Sequence, residues 1–240
     1  TVILGTKLKE FGNSNFHLGG TPRSTFHSPF SKILIIEADE HFASFLNYRP
    51  EIIVLTNIEA DHLDYYKNLK NYLNSFKKFV SLLPENGALI ANKDDKNIQE
   101  LKNLLCDSSG KMPRVNRIRK TVKVKNYSLE QKEARELKKI LKVPGRHNVY
   151  NALAALTLAR ALKIPDKISF KALSEYKGAW RRFDVKKGII DNKKFTIISD
   201  YAHHPTEIKA TLEAAREKYH RKKIWCVFQP HQYQRTFYLF

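Results

Sequence analysis

No apolar run in this 240-residue chain is long enough to span a bilayer, which excludes a transmembrane helix. Cysteine is scarce. Cys106 and Cys226 lie far apart in unrelated settings, so no disulfide framework or cysteine-based zinc pattern is present. That usage fits a reducing, cytoplasmic setting. Internal repeats and low-complexity tracts are missing too. So is any Gly-x-x-x-x-Gly-Lys-[Ser/Thr] loop, which leaves this sequence without that device for cradling a polyphosphate. Acidic residues are outnumbered, 24 Asp and Glu against 43 Lys and Arg, for a net charge of +19. Such an excess suits a nucleic-acid or membrane partner. The lysines, however, are spread over every segment, and the basic cluster at residues 114–125 lacks the interleaved aromatics of a single-strand binding surface. The reading is a lysine-rich globular protein with no nucleic-acid partner and no membrane insertion.

What the chain does contain is an alternation of apolar strands and amphipathic helices. Residues 32–37 and 51–56 are continuous apolar runs, typical of parallel strands covered on both faces. Leu69, Leu73, Phe76, Val80 and Leu83 recur at helical spacing. Residues 87–91 read as a further strand and 96–105 as a short helix. The alternation predicts an α/β fold with a doubly wound, mostly parallel sheet. Residues 107–142 are polar and basic, and predict a loop, a weak strand at 121–127 and a short helix. The clearest helix covers 148–162, with Val149, Leu153, Leu156 and Ala159 on one stripe, and Pro165 blocks its continuation. A second helical patch leads to Gly178-Ala-Trp-Arg-Arg-Phe183, read as a domain junction. Residues 1–179 then form a central domain, and 180–240 begin a second, Rossmann-like α/β domain. Its expected elements are a strand at 195–199, a helix at 205–219 buried through Ile208, Leu212, Ala215 and Tyr219, and a strand at 223–228. Thr1 in place of methionine, and an end just past a strand-like stretch, read as an internal fragment of a longer protein.

Four phrases place ionisable groups where a strand stops or a helix starts, the usual ligand positions of open α/β sheets. They are Glu37-Ala-Asp-Glu40, Asn57-Ile-Glu-Ala-Asp-His62, Gly145-Arg-His-Asn-Val-Tyr-Asn151 and Asp200-Tyr-Ala-His-His-Pro-Thr-Glu207. A carboxylate such as Glu37 at a strand end suits Mg²⁺, or merely solvates the strand end. Histidine, as at His62, is an unusual ligand for so hard an ion. Asn148 reads equally as a helix N-cap, while Asn151 lies inside the helix and faces away from its apolar stripe. Arg181 and Arg182 read as surface charge or as a phosphate fork. His204 reads as a helix cap or as part of a site.

In this order the four phrases resemble the Mur ligases, the ATP-dependent amide-forming enzymes of peptidoglycan precursor synthesis. The phrase Gln229-Pro-His-Gln-Tyr-Gln-Arg235-Thr236 is similar to the branch of that family that adds L-alanine, with Gln232 where arginine is usual. The resemblance implies ATP and Mg²⁺ as cofactors, and UDP-N-acetylmuramate and L-alanine as substrates joined through an acyl phosphate. It implies Glu37 and His62 as magnesium ligands, Asn148 and Asn151 at the adenine, and Asp200 at the ribose. Arg182 would reach the γ-phosphate as the domains close. His203 and His204 would act on the substrate side, with His231 and Arg235 holding substrate. Asp61 and Asp64 receive no role, and no carbamylated lysine is assigned near Phe76-Lys77-Lys78. The family's phosphate loop and UDP-binding domain are expected upstream, so this stretch alone is expected not to turn over. The rival readings are the family's murein tripeptide-recycling ligase, a degenerate paralogue that binds nucleotide without catalysis, and a basic nucleic-acid-binding protein.

Overall fold

The computed structural model describes residues 1–18, 33–106, 122–230 and 232–239. His231, the loop expected from residue 107 and most of the basic cluster at 114–125 lie outside the described residues. The elements run β1 (Val2–Leu8), β2 (Ser14–His17), β3 (Ile35–Ile36), a 3-10 segment (His41–Asn47), β4 (Ile52–Leu55), α1 (Leu63–Tyr66) and α2 (Leu69–Ser81). They continue with β5 (Ala88–Asn92), α3 (Lys96–Cys106), β6 (Lys123–Tyr127), α4 (Lys132–Ile140), α5 (Arg146–Ala161) and α6 (Asp166–Glu175). The chain then forms β7 (Asp184–Ile190), β8 (Lys193–Ser199), α7 (Pro205–Lys218) and α8 (Tyr233–Leu239).

Strands β4, β5 and β6 pair in parallel, with Ile53 opposite Leu89 and Val54 opposite Ile90. Alternate side chains of a strand point to opposite faces. Ile53, Leu55, Leu89 and Ala91 therefore pack with α2 and α3 in one core, while Ile90, Ile52, Val54 and Tyr127 pack with α4, α5 and α6 in a second. That double cover explains the uninterrupted apolar runs, and β5 is buried at every position. Strand β6 carries Lys123 and Lys125 on exposed positions, as suits a strand at the rim. The helical spacing from Leu69 is borne out by α2, whose start is capped by Asn68 accepting the Asn71 N–H at 2.9 Å.

The run at 32–37 behaves differently from expectation. Only Ile35 and Ile36 form a strand, paired parallel to β1, and β1 in turn pairs antiparallel with β2. Leu34 and Ile35 are exposed at 54% and 45%, so this run is not covered on both faces. The reason is its partner: β1 alternates between half-buried and exposed positions and lends no closed core.

Beyond α6 the chain returns to β1, where the Trp180 N–H donates to the Lys7 carbonyl at 3.0 Å. β7 and β8 form an antiparallel hairpin, and α7 packs on it through Ala214 and Ala215. Leu212, expected inside, is 39% exposed. The expected strand at 223–228 does not form; it joins no ladder among the described residues, and Trp225 and Val227 are exposed. β8 pairs with β7 along one edge, and residues 223–228 do not add to the other. No helix among the described residues is long and apolar enough to cross a membrane.

Arg160 ties three helices together, reaching Glu133 at 2.7 Å and Asp166 at 2.7 and 2.9 Å. The guanidinium hydrogen bond holds the Glu133 carboxyl below its ordinary value of 4.5. A depressed carboxylate contributes stability that is present above its unfolded value and is lost as pH falls through the folded one. Arg160→Met is therefore expected to lower the unfolding midpoint at pH 7. The gap to the parent should narrow as urea titrations move below pH 4.5, and a constant gap would remove this pair as its cause.

Candidate functional site

The carboxyl end of β4 leads into the Asn57–His62 phrase, and this loop is held from beneath. Ile58, only 1% exposed, donates its N–H to Asp95 at 3.3 Å, and its carbonyl accepts from Asn97 at 2.6 Å. Burial, only partly offset by backbone N–H donors, pushes the Asp95 carboxyl up. From this base the loop projects Glu59, Ala60, Asp61 and His62. His62 takes a left-handed conformation at φ +51° and begins α1. Its ring stacks on His41 at 4.2 Å, and Nε2 lies 3.7 Å from Glu40 Oε1 and 3.9 Å from Asp61 Oδ2. Glu40 is itself fixed, because Tyr72 donates to its Oε1 at 3.1 Å and Tyr66 donates to its carbonyl. Burial, and then the charge of Glu40, push the Tyr72 phenol up, which keeps it a donor.

Glu37 sits apart from this group. It is exposed, and its Oε2 accepts the Gly5 N–H of β1 at 2.7 Å. The carboxylates within 4 Å of the His62 ring are Glu40 and Asp61, not Glu37. The chain reaches this arrangement through Phe42 and Ala43, both left-handed at φ +51° and +55°. Such strain in non-glycine residues gathers at ligand sites more than elsewhere.

Opposite stands the start of α5. Its N-cap is Gly145, at φ +100°, not Asn148. A Cβ on Gly145 would lie 2.6 Å from His147 Cε1 and 2.9 Å from Ala214 Cβ. Asn148 donates to the Pro144 carbonyl at 2.6 Å and lies 3.1 Å from His147 Nε2, whereas Asn151 is exposed. His147 was not singled out from the sequence, although it lies inside the quoted phrase. Its Nδ1 is buried without a partner among the described residues. Burial pushes this imidazole's pKa down; Asp200 opposes the shift, Arg182 adds to it and Glu207 opposes it. Those three residues belong to the unit after the junction, whose helix α7 comes close to Gly145 through Ala214.

In that unit Asp200 accepts the N–H groups of Phe183 at 2.8 Å and Ala202 at 2.7 Å. The Arg182 guanidinium is half exposed, 3.7 Å from Glu207 and 5.9 Å above the Tyr201 ring. His204 is the N-cap of α7: its Nδ1 accepts from Thr206, and its Nε2 reaches the Ala60 carbonyl at 3.2 Å. His203 Nδ1 lies 2.8 Å from the Tyr201 carbonyl. Arg235, from α8, makes a two-pronged pair with Asp61, both contacts 3.0 Å. Burial raises the Asp61 carboxyl, but the His62 N–H and Arg235 outweigh it and leave it below its ordinary value. Asp64 lines the same small recess as His62, Gln232 and Arg235.

The residues present fit a nucleotide. The start of α5 has a glycine cap that leaves room for close backbone approach, His147 Nδ1 is buried without a partner among the described residues, and the Arg182 guanidinium is half exposed. Among the described residues no group of three His, Cys, Asp or Glu side chains is arranged to hold a metal ion by itself. Separate carboxylate and imidazole donors suit a hard cation carried mainly by phosphate and water oxygens, not an all-protein cage.

A parallel α/β sheet with ionisable groups gathered at the carboxyl end of β4 and at the starts of α5 and α7 is a layout that suits nucleotide binding. Residues 4–159 match the Mur ligase middle domain, and 181–237 match the Mur ligase glutamate ligase domain. The chain belongs to the Mur ligase family. It is 45% identical over 227 residues to the UDP-N-acetylmuramate–L-alanine ligase of Clostridium acetobutylicum, covering 88% of this chain and 46% of that protein. The ligase of the same name from Persephonella marina is 38% identical over 100% of this chain and 50% of its own. The crystal structure of the UDP-N-acetylmuramate–alanine ligase of Thermotoga maritima superposes with a TM-score of 0.68 at 25% identity, covering 97% of this chain and 51% of that one. A murein peptide ligase from Psychrobacter arcticus, 22% identical over 93% of this chain and 48% of its own, shares the fold with a TM-score of 0.60. The chain spans about half the length of the curated relatives it matches.

Proposed function

We propose that this chain is the central part of a cytoplasmic ligase that joins L-alanine to the carboxylate of UDP-N-acetylmuramate at the expense of ATP. Residues 1–179 would be its ATP-binding domain and 180–240 the start of its closing domain. The observation that carries the reading is the meeting of the β4 loop, through Glu59, Ala60 and Asp61, with Thr206, His204 and Arg235 of the second unit. The relatives' names supply the substrates.

When bound, ATP with Mg²⁺ supplies the phosphoryl group that activates the substrate carboxylate. The chain's own work is positioning and charge neutralisation. Asn151, exposed, offers its amide to the adenine edge, Asn148 keeps its amide oxygen to accept from it because its nitrogen is engaged by Pro144 and His147, and Asp200 retains lone pairs for ribose hydroxyls beyond the two backbone donors it already accepts. Glu37 and His62 would hold the cation. Arg182, anchored only loosely by Glu207, is free to turn its fork to the γ-phosphate. His203 and His204 stand on the substrate side, and Arg235 carries donors suited to a carboxylate.

The test is phosphate release by the intact protein given ATP and UDP-N-acetylmuramate, with either L-alanine or the murein tripeptide as acceptor. Release is expected with L-alanine and not with the tripeptide. Preference for the tripeptide would reassign the chain to the recycling branch. Release with neither would remove the ligase reading.

A further inference from the structure

We infer that Asp61 is a positioning residue, holding Arg235 of the second unit in place over the carboxyl end of β4, beside a Glu59 that anchors the start of α7 through Thr206. The inference rests on the ligase reading for what Arg235 does, but not for how it is held. Three successive residues of one loop reach across. Glu59 takes the Thr206 hydroxyl at 2.5 Å and lies 3.7 Å from His204 Nδ1. The Ala60 carbonyl meets His204 Nε2 at 3.2 Å. Asp61 grips Arg235 with both oxygens.

The pair with Asp61 is the firmest of these. The Arg235 side chain is 9% exposed and Asp61 20%, so both are largely withdrawn from water. Asp61 also accepts the His62 N–H at 2.7 Å, which fixes the carboxylate before it meets arginine. A guanidinium has five N–H donors, and Asp61 takes only Nε and Nη2. The remaining donors stay available beside the recess lined by Asp61, His62, Asp64 and Gln232. A planar fork held on one edge presents its other edge in a set direction, which a free side chain does not. The loop can bear this load because Ile58 beneath it is pinned through both backbone groups.

A merely fold-stabilising ion pair would lower stability without singling out one substrate. Asp61→Asn in the intact protein separates the two cases. Amide hydrogen exchange across Tyr233–Leu239 is expected to quicken by about tenfold, because a largely buried charge pair has been broken. The KM for the amino-acid substrate should rise by about tenfold and by more than the KM for ATP, since Arg235 loses its charge partner while the carboxamide oxygen can still accept the His62 N–H. Asp61→Glu should recover part of both. Unchanged exchange in Asp61→Asn, or an equal rise in the KM for ATP, would overturn the proposal. Should Asp61→Asn not fold, Arg235→Lys keeps the charge, removes the fork and reads the same two quantities. If the intact protein proves to have no ligase activity, the exchange measurement still decides whether Asp61 holds α8, and the failure lies with the function alone.

Discussion

Glu37→Ala and His62→Asn, made separately in the intact protein, are expected to slow ATP-dependent amide formation by about 100- to 1,000-fold while leaving the unfolding midpoint nearly unchanged. Glu37 is exposed and its hydrogen bond from the Gly5 N–H can be replaced by water, so its loss should cost about 0.5 kcal/mol or less. Asparagine is chosen at 62 because it tolerates the left-handed backbone there, which alanine does not. Steady-state phosphate release checks the rate, and thermal unfolding checks the fold. Glu40→Gln is the informative companion. It stands 3.7 Å from the His62 ring, where Glu37 does not. Full activity in Glu37→Ala combined with loss in Glu40→Gln would move the cation-binding carboxylate to Glu40. Activity retained in both Glu37→Ala and His62→Asn would sink the metal assignment.

Gly145→Ala carries the largest expected effect on stability. The residue sits at φ +100°, and a Cβ would meet the His147 ring at 2.6 Å and the Ala214 methyl at 2.9 Å. The ring is able to swing aside, but Ala214 is part of the α7 backbone's own packing and is 1% exposed. The backbone strain and the overpacking together should cost about 2–4 kcal/mol, read from urea unfolding. Relief by a second substitution, His147→Ala, should be partial, because the Ala214 contact persists. A Gly145→Ala variant as stable as the parent would show that α5 and α7 do not meet here.

The central sheet was legible because two periods are written plainly in it. Strands β4 and β5 are apolar throughout, and α2 repeats every third or fourth residue, so both faces and the covering helix follow from the letters. The run at 32–37 has the same composition as β4, yet composition says only that a strand is apolar and not what covers it. The β7–β8 hairpin was missed although a signal existed. Asp191 and Asn192, at φ +46° and +61°, form the tight turn that such residues favour between two apolar runs. At the site, the phrases were legible but their pairings were not. Asp61 and Arg235 stand 174 residues apart, and no local pattern joins them. Which of Glu37, Asp39 and Glu40 faces His62 is decided by the left-handed turn at Phe42 and Ala43, a conformation their side chains do not announce. His147 escaped because a histidine beside an asparagine at a helix start reads as ordinary; its orphaned nitrogen is visible only in three dimensions.

The junction contains a built-in optical probe. The chain has two tryptophans, and Trp180 lies on the strap between the units, 57% exposed, with Lys7 5.9 Å and Arg181 5.5 Å from its ring. Trp225→Phe removes the second indole from an exposed stretch outside every strand and helix. The remaining fluorophore then keeps Lys7 beside its ring only while β1 and the residues after Gly178 stay together, so its emission reports that contact without any attached dye.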